Sequence, residues 1–203
     1  VAIGSLVNLS ANSVANILAV GAHLNTTGSI AVQQSVITGT GFTKTSGTLL
    51  NSVISGSGIQ NASNLSQVIL GGNGHIINGN SANTLMMGSG TTISLGAANN
   101  NNLIVGQNIT VSGITQNSMI AGTSNITSGD STSNIIGGSS NSLGVSCDNN
   151  LVVGLTNSLG GGSSRNLIAG SQVTLGINSS HNIMAGFNYN AAGSISNSLS
   201  VGS

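Results

Sequence analysis

The side chains of this chain that could do chemistry are few, and they lie far apart in sequence. Three histidines, His23, His75 and His181, stand with no second ligand type near any of them. A metal site needs three or four converging donors, so none is assigned. The single cysteine, Cys147, lies beside Asp148, but the next histidine along the chain is the distant His181. A nucleophilic thiol needs a base or a cation beside it, so Cys147 reads as an inert small side chain. Asp130 and Asp148 are the only carboxylates. A glycosidase pair would also need a sugar groove, and the aromatic residues are only Phe42, Phe187 and Tyr189. A sugar-stacking role for Phe187 and Tyr189 is the weak remainder. Gly160-Gly161-Gly162 precedes neither a helix pattern nor a lysine and reads as a turn, not a phosphate loop. These residues assign no catalytic, cofactor-binding or metal-binding site, and the expectation is a non-enzyme.

The regularity lies elsewhere. Asn102-Leu103-Ile104-Val105-Gly106 returns as Ser118-Met119-Ile120-Ala121-Gly122 and in five more copies. Their closing glycines, from Gly106 and Gly122 up to Gly202, are each sixteen positions from the next. A fixed period of this size marks stacked units. Upstream the motif ends at Gly4, Gly21, Gly39, Gly56, Gly71 and Gly88, with looser spacing, which makes thirteen copies in all. The reading is one repeat array over 1–203, irregular over 1–101 and regular over 102–203, taken as a fragment of a longer chain. The period is not a multiple of six, as hexapeptide-repeat transferases require, and no Asp recurs in each unit, as calcium-binding nonapeptide coils require.

In each copy the third residue before the glycine is large and apolar, and the second is Ile, Val, Met or Ala in all copies except Ser200. Successive strand side chains face opposite sides, so both faces of this strand are dry. Ile109-Thr110-Val111 and Val173-Thr174-Leu175 alternate like a second, half-solvated strand, and further glycines follow at Gly113, Gly129, Gly144 and Gly160. The expected fold is all-β, a parallel β-solenoid with two strands and two glycine turns per rung. Stacking aligns Asn134, Asn150, Asn166 and Asn182 in a column whose amides can bond to one another. Ile104, Ile120, Ile136, Val152, Ile168 and Met184 are expected on the outer face, meeting copies of themselves in a closed oligomer. On that reading Ile136→Asp breaks the oligomer.

Composition removes several partners. The charged residues are Lys44, Arg165, Asp130 and Asp148, too few cations on any face for a nucleic-acid backbone or a polybasic membrane patch. No apolar run approaches the roughly 20 residues that span a bilayer, so no membrane insertion is expected. An ice-binding face would hold threonines in one column, and Thr110, Thr127 and Thr174 are not expected to share one.

The motif Asn/Ser-Val-Ala-Ile-Gly resembles the head-domain repeat of trimeric autotransporter adhesins, with related repeats in virus and bacteriophage tail fibres. Val1-Ala2-Ile3-Gly4, Asn51-Ser52-Val53-Ile54-Ser55-Gly56 and Asn117-Ser118-Met119-Ile120-Ala121-Gly122 carry the resemblance. It implies a left-handed β-roll, three chains packed side by side, and an exposed attachment fibre that presents or spaces a surface for a host receptor or glycan. Ile commonly replaces the family's Ala at the second position, and the charged neck and stalk of a bacterial adhesin are not in this sequence. The expectation is therefore a non-catalytic homotrimeric segment of a viral or phage fibre on the virion surface. The alternative is the head of a bacterial adhesin on the outer-membrane surface.

Overall fold

β-Branched residues and glycine dominate the chain, and no capping box or helical apolar stripe competes with extended backbone. In the computed structural model, residues 2–3, 7–10, 13–20, 24–27, 31–38, 40–41, 43–44, 49–61, 64–94 and 99–202 are described, and every regular element among them is a strand. Val1, Gly4, Gly21, His23, Gly39 and Phe42 lie outside the described residues. The chain divides into two compact units, 1–105 and 106–203. Each is a parallel β-solenoid of about 16 residues per turn, and the two together count about nine turns.

In the first unit, Val53–Ser57, Ile69–Asn73 and Leu85–Ser89 pair in parallel, with Val53, Ile69 and Leu85 in one column and Gly56, Gly72 and Gly88 in another. The closing glycine of this rung is thus Gly72, one position beyond the expected Gly71, and the spacing across these three strands is even. Val68, expected third before the glycine, instead falls in the column of Ser52 and Thr84, all three buried. In the second unit the same strand recurs as Met119–Thr123, Ile135–Ser139, Leu151–Leu155, Leu167–Ser171, Ile183–Phe187 and Leu199–Gly202. Their register runs unbroken from Met119 through Ile135, Leu151, Leu167 and Ile183 to Leu199.

Ser13–Val20 with Leu24–Thr27 and Ala31–Thr38 with Thr43–Lys44 give the expected two strands per turn, but from Leu49 onward each described turn holds three β segments. After the motif strand comes a short strand such as Thr110–Ser112, Ile126–Thr127 or Ser142–Leu143. A third segment then precedes the next motif strand: Leu65–Ser66 and Ser81–Ala82 in the first unit, Thr115–Gln116 and Ser131–Thr132 in the second. From Thr132 onward it persists as single bridges through Asp148, Ser164, Ser180 and Ser196. So short a segment leaves no hydrophobic alternation, and periodicity cannot reveal it.

The core reverses the expected orientation of the motif strand. Ile104, Ile120, Ile136, Val152, Ile168 and Met184 are buried inside the coil, none more than 1 % exposed. The second-strand column of Val111, Leu143, Leu159 and Leu175 is equally buried. The side chains facing out are those one position to either side: Met119, Ile135 and Ile183 before, Val105 and Val153 after. Both neighbours of a core position must point outward on a strand, so a single parity error moves the whole set.

The closing glycines have a backbone reason. Gly138 has φ +105° and Gly154 φ +127°, conformations other residues rarely adopt. A Cβ on either would collide with the carbonyl oxygen of the glycine one rung on. The inward set of the strand gives the sharper test. Ile136→Asp buries a charge inside the coil and should unfold the second unit, seen as lost β signal by circular dichroism. A folded variant with an intact spectrum would place Ile136 on the outside after all.

Candidate functional site

The polar residues of the chain divide into those consumed by the coil and those left on its surface. Where the backbone leaves one β segment for the next, its N–H and C=O groups need other partners. Asn134, Asn150, Asn166 and Asn182 supply them as the expected ladder. The Asn150 Oδ1 accepts from the Asn166 backbone N–H at 3.0 Å and the Asn166 Nδ2 at 3.1 Å. The Asn150 Nδ2 donates to Asn134 Oδ1 at 3.1 Å and to the Ser163 carbonyl at 3.0 Å. A second ladder has no counterpart in the sequence reading: the Asn141 backbone N–H donates to Asn125 Oδ1 at 3.0 Å, and that of Asn157 to Asn141 Oδ1 at 3.0 Å. Asn157 Nδ2 donates to the Val153 and Gly170 carbonyls at 3.1 and 3.0 Å. Its signal in the sequence is Asn at 125, 141 and 157, three positions after successive motif glycines.

Cys147 lies in the core, in a column with Thr115, Ser131, Ser163 and Ser179, all buried. Its Sγ–H points at the Gly160 carbonyl, 3.3 Å away. Burial pushes the thiol pKa up, opposed by backbone hydrogen bonds and reinforced by the nearby Asp148 charge. His181 is exposed, and the structure does not bring the two together. His75 is fully buried, with Nε2 3.0 Å from the Gly71 carbonyl. Its Nδ1 has no hydrogen-bond partner.

The two carboxylates sit in different columns. Asp130 Oδ1 accepts from the Ile114 backbone N–H at 3.1 Å. Asp148 Oδ1 accepts from the Thr132 backbone N–H at 2.8 Å and the Thr132 hydroxyl at 2.7 Å. Each ties one rung to the previous one, and neither is paired with the other across a groove. Among the described residues no three His, Cys, Asp or Glu side chains converge on a point, and no helix is long and apolar enough to cross a membrane. Thr110 and Thr174 do share an outward column, contrary to expectation, but Ile126, Ser142 and Ser158 stand between them and Thr127 is buried. Phe187 and Tyr189 line one hollow together with Met184 and Val201.

What remains on the surface is a shallow groove in the second unit. It runs along the corner before the motif strand, where Ser133, Asn149, Arg165 and His181 stack at successive rungs, all exposed. Their φ angles are 56°, 59°, 57° and 58° in that order. Leu151, Leu167 and Ile183 form the apolar side of the groove. Comparison with family models, with curated proteins and with solved structures returned no match. The chemistry of this chain therefore rests on its own geometry. Arg165 and His181 stand singly in a linear reading of the sequence, yet they occupy the same place on adjacent rungs.

The buried polar groups can be probed directly. Asn150→Leu leaves the Asn166 N–H unpaired in the core, while the Ser163 carbonyl keeps the Asp148 N–H as its donor, and should cost about 1–3 kcal/mol for the stranded group, measured by denaturant unfolding. Cys147 should resist a thiol-specific reagent at neutral pH and react at once in denaturant. Rapid labelling of the native chain would contradict its burial.

Proposed function

We propose that this chain is a non-catalytic structural segment of a homotrimeric attachment fibre, viral or phage in setting, which spaces or presents a surface for a host receptor or glycan. The observation that carries this reading is the outward face of the motif strands. Val53, Ile69, Met119, Ile135 and Ile183 are 38 to 49 % exposed, and Val105 and Val153 are 38 and 41 % exposed. Parallel sheets are nearly always covered on both faces, and repeated exposed apolar columns of this kind mark an interaction surface. The face carries no charge, so identical copies can meet on it without desolvating an ion. The oligomer expected from the sequence is retained, while its contact residues move to this parity of the strand.

The number three and the left-handed coil come with the resemblance to autotransporter heads and tail fibres, and thirteen rungs over the whole array come from the count of motif glycines. The virion setting is preferred to a bacterial adhesin head because the chain is so bare of charge.

Sedimentation of the intact chain should give a trimer. Ile135→Asp combined with Ile183→Asp should dissociate it while leaving the β spectrum intact, because both side chains face outward. A stable wild-type monomer would refute the assembly.

A further inference from the structure

We propose that Leu155 and Phe187 of one copy seat in the corner groove of the next, with Arg165 filling the notch between them. The proposal rests on the assembly read above and names its contact: the two flanks of the motif strand, meeting head to tail.

Alternate positions of a strand share one face, so Leu151, Val153 and Leu155 all point outward. The groove borders this face where the strands begin, at Asn149, Arg165 and His181. Where they end, Leu155, Ser171 and Phe187 stand in register. Leu155 is 50 % exposed and Phe187 53 %. Each copy thus carries a hollow on one flank and two apolar protrusions on the other. In a closed ring every contact joins one flank of a copy to the opposite flank of its neighbour, so every hollow is filled and every protrusion covered.

Rung height and side-chain size fix the match. Rotation about an axis along the coil keeps rungs level, so Phe187 meets the rung of His181, and Leu155 that of Asn149. Ser171, the small residue between the two protrusions, meets the rung of Arg165. Sizes therefore alternate in opposite phase: Asn, Arg and His on the groove side against Leu, Ser and Phe on the other. The longest side chain of the groove faces the one gap in the opposing flank. There its flat guanidinium lies beside the Phe187 ring, a cation–π contact for which Arg is well shaped. Leu167 and Ile183, on the apolar side of the groove, complete the seat. The column that the assembly buries is then continuous with the groove beside it.

The test is cysteine cross-linking of the full chain in a Cys147→Ser background, serine being the residue of that column at Ser131 and Ser163. His181→Cys and Phe187→Cys are introduced together. Within one copy the strand Ile183–Phe187 alone holds them about 13 Å apart, about twice the Cα separation that a disulfide bridges. Mild oxidation should therefore link only between copies, giving a closed covalent trimer on a denaturing gel, while each single variant stays unlinked. A covalent dimer of Phe187→Cys alone would show like flanks in contact and overturn the proposal. Without any cysteine added, Phe187→Ser should raise the concentration at which the trimer dissociates by at least about tenfold. Arg165→Asn should raise it too, but not in the Phe187→Ser background, since the two side chains act as one contact. An equal effect of Arg165→Asn in both backgrounds would overturn the pairing. Sedimentation separates this contact from the assembly itself. A trimer whose double-cysteine variant stays unlinked loses only the contact, a covalent ring of another size loses only the number three, and a wild-type monomer loses both.

Discussion

Stacking at a fixed period sets each side chain of the regular rungs one strand spacing from its counterparts in the rungs before and after. A residue in such a coil must tolerate its own kind as nearest neighbour, twice over. Aliphatic side chains do, and so does glycine, whose stacked backbones at Gly122, Gly138 and Gly154 leave no room for a Cβ. Asparagine does so actively, since its amide is donor and acceptor together and one copy completes the next. Charged residues fail the test, because like charges in register repel. This is a physical account of a chain with only four of them. Asp148 sits between the neutral Thr132 and Ser164. Arg165 stacks between Asn149 and His181.

The same register explains a core with so much polarity in it. So short a turn has little room for aliphatic bulk, and the backbone must bend between its three β segments. At each bend peptide groups leave the regular ladder and need partners inside the coil, where an unmet one is costly. The two asparagine ladders meet this need with side chains that also hold the register, since Asn150 and Asn141 each bond both the backbone and the Asn of an adjacent rung. Ser163 and Ser179 do it less completely, with Ser163 Oγ accepting from the Ser179 N–H at 3.1 Å. The core is thus part oil and part hydrogen-bonded column, and stability is distributed from rung to rung.

Much of this is legible in the residues. The evenly spaced glycine file, the parallel coil and the Asn134 to Asn182 ladder follow from period and residue type. The third β segment is hidden because so short a strand carries no alternation. The slip at Gly71 arises because Gly71 and Gly72 are adjacent, and only the pairing of Ile69 with Val53 and Leu85 shows which one closes the rung. The buried His75 is unreadable for a different reason: it occupies a column filled by Ile59 and Thr91 in neighbouring rungs, so no consistent residue type announces that column as core. The corner groove escapes a linear reading because its two key side chains matter as one column, not as isolated residues.

The inverted strand faces are the most instructive departure, because both faces are apolar and hydrophobicity alone cannot order them. Volume can. An interior column cannot shrink at one rung without opening a cavity, at a cost that grows with the volume lost. An outward column has no such penalty. In the regular repeats the second position before the glycine stays large from Ile104 through Ile120, Ile136, Val152 and Ile168 to Met184, and only the last copy, with Ser200, departs from it. The position after it swings from Gly137 to Val153. Uniform size therefore marks the inside, and variable size marks the face left to meet another surface. A face that mixes Gly, Ala and Val is also uneven, with hollows at Gly137 and Ala169 beside ridges at Val153. Such relief suits a partner whose relief is the same pattern, as another copy of this chain would supply.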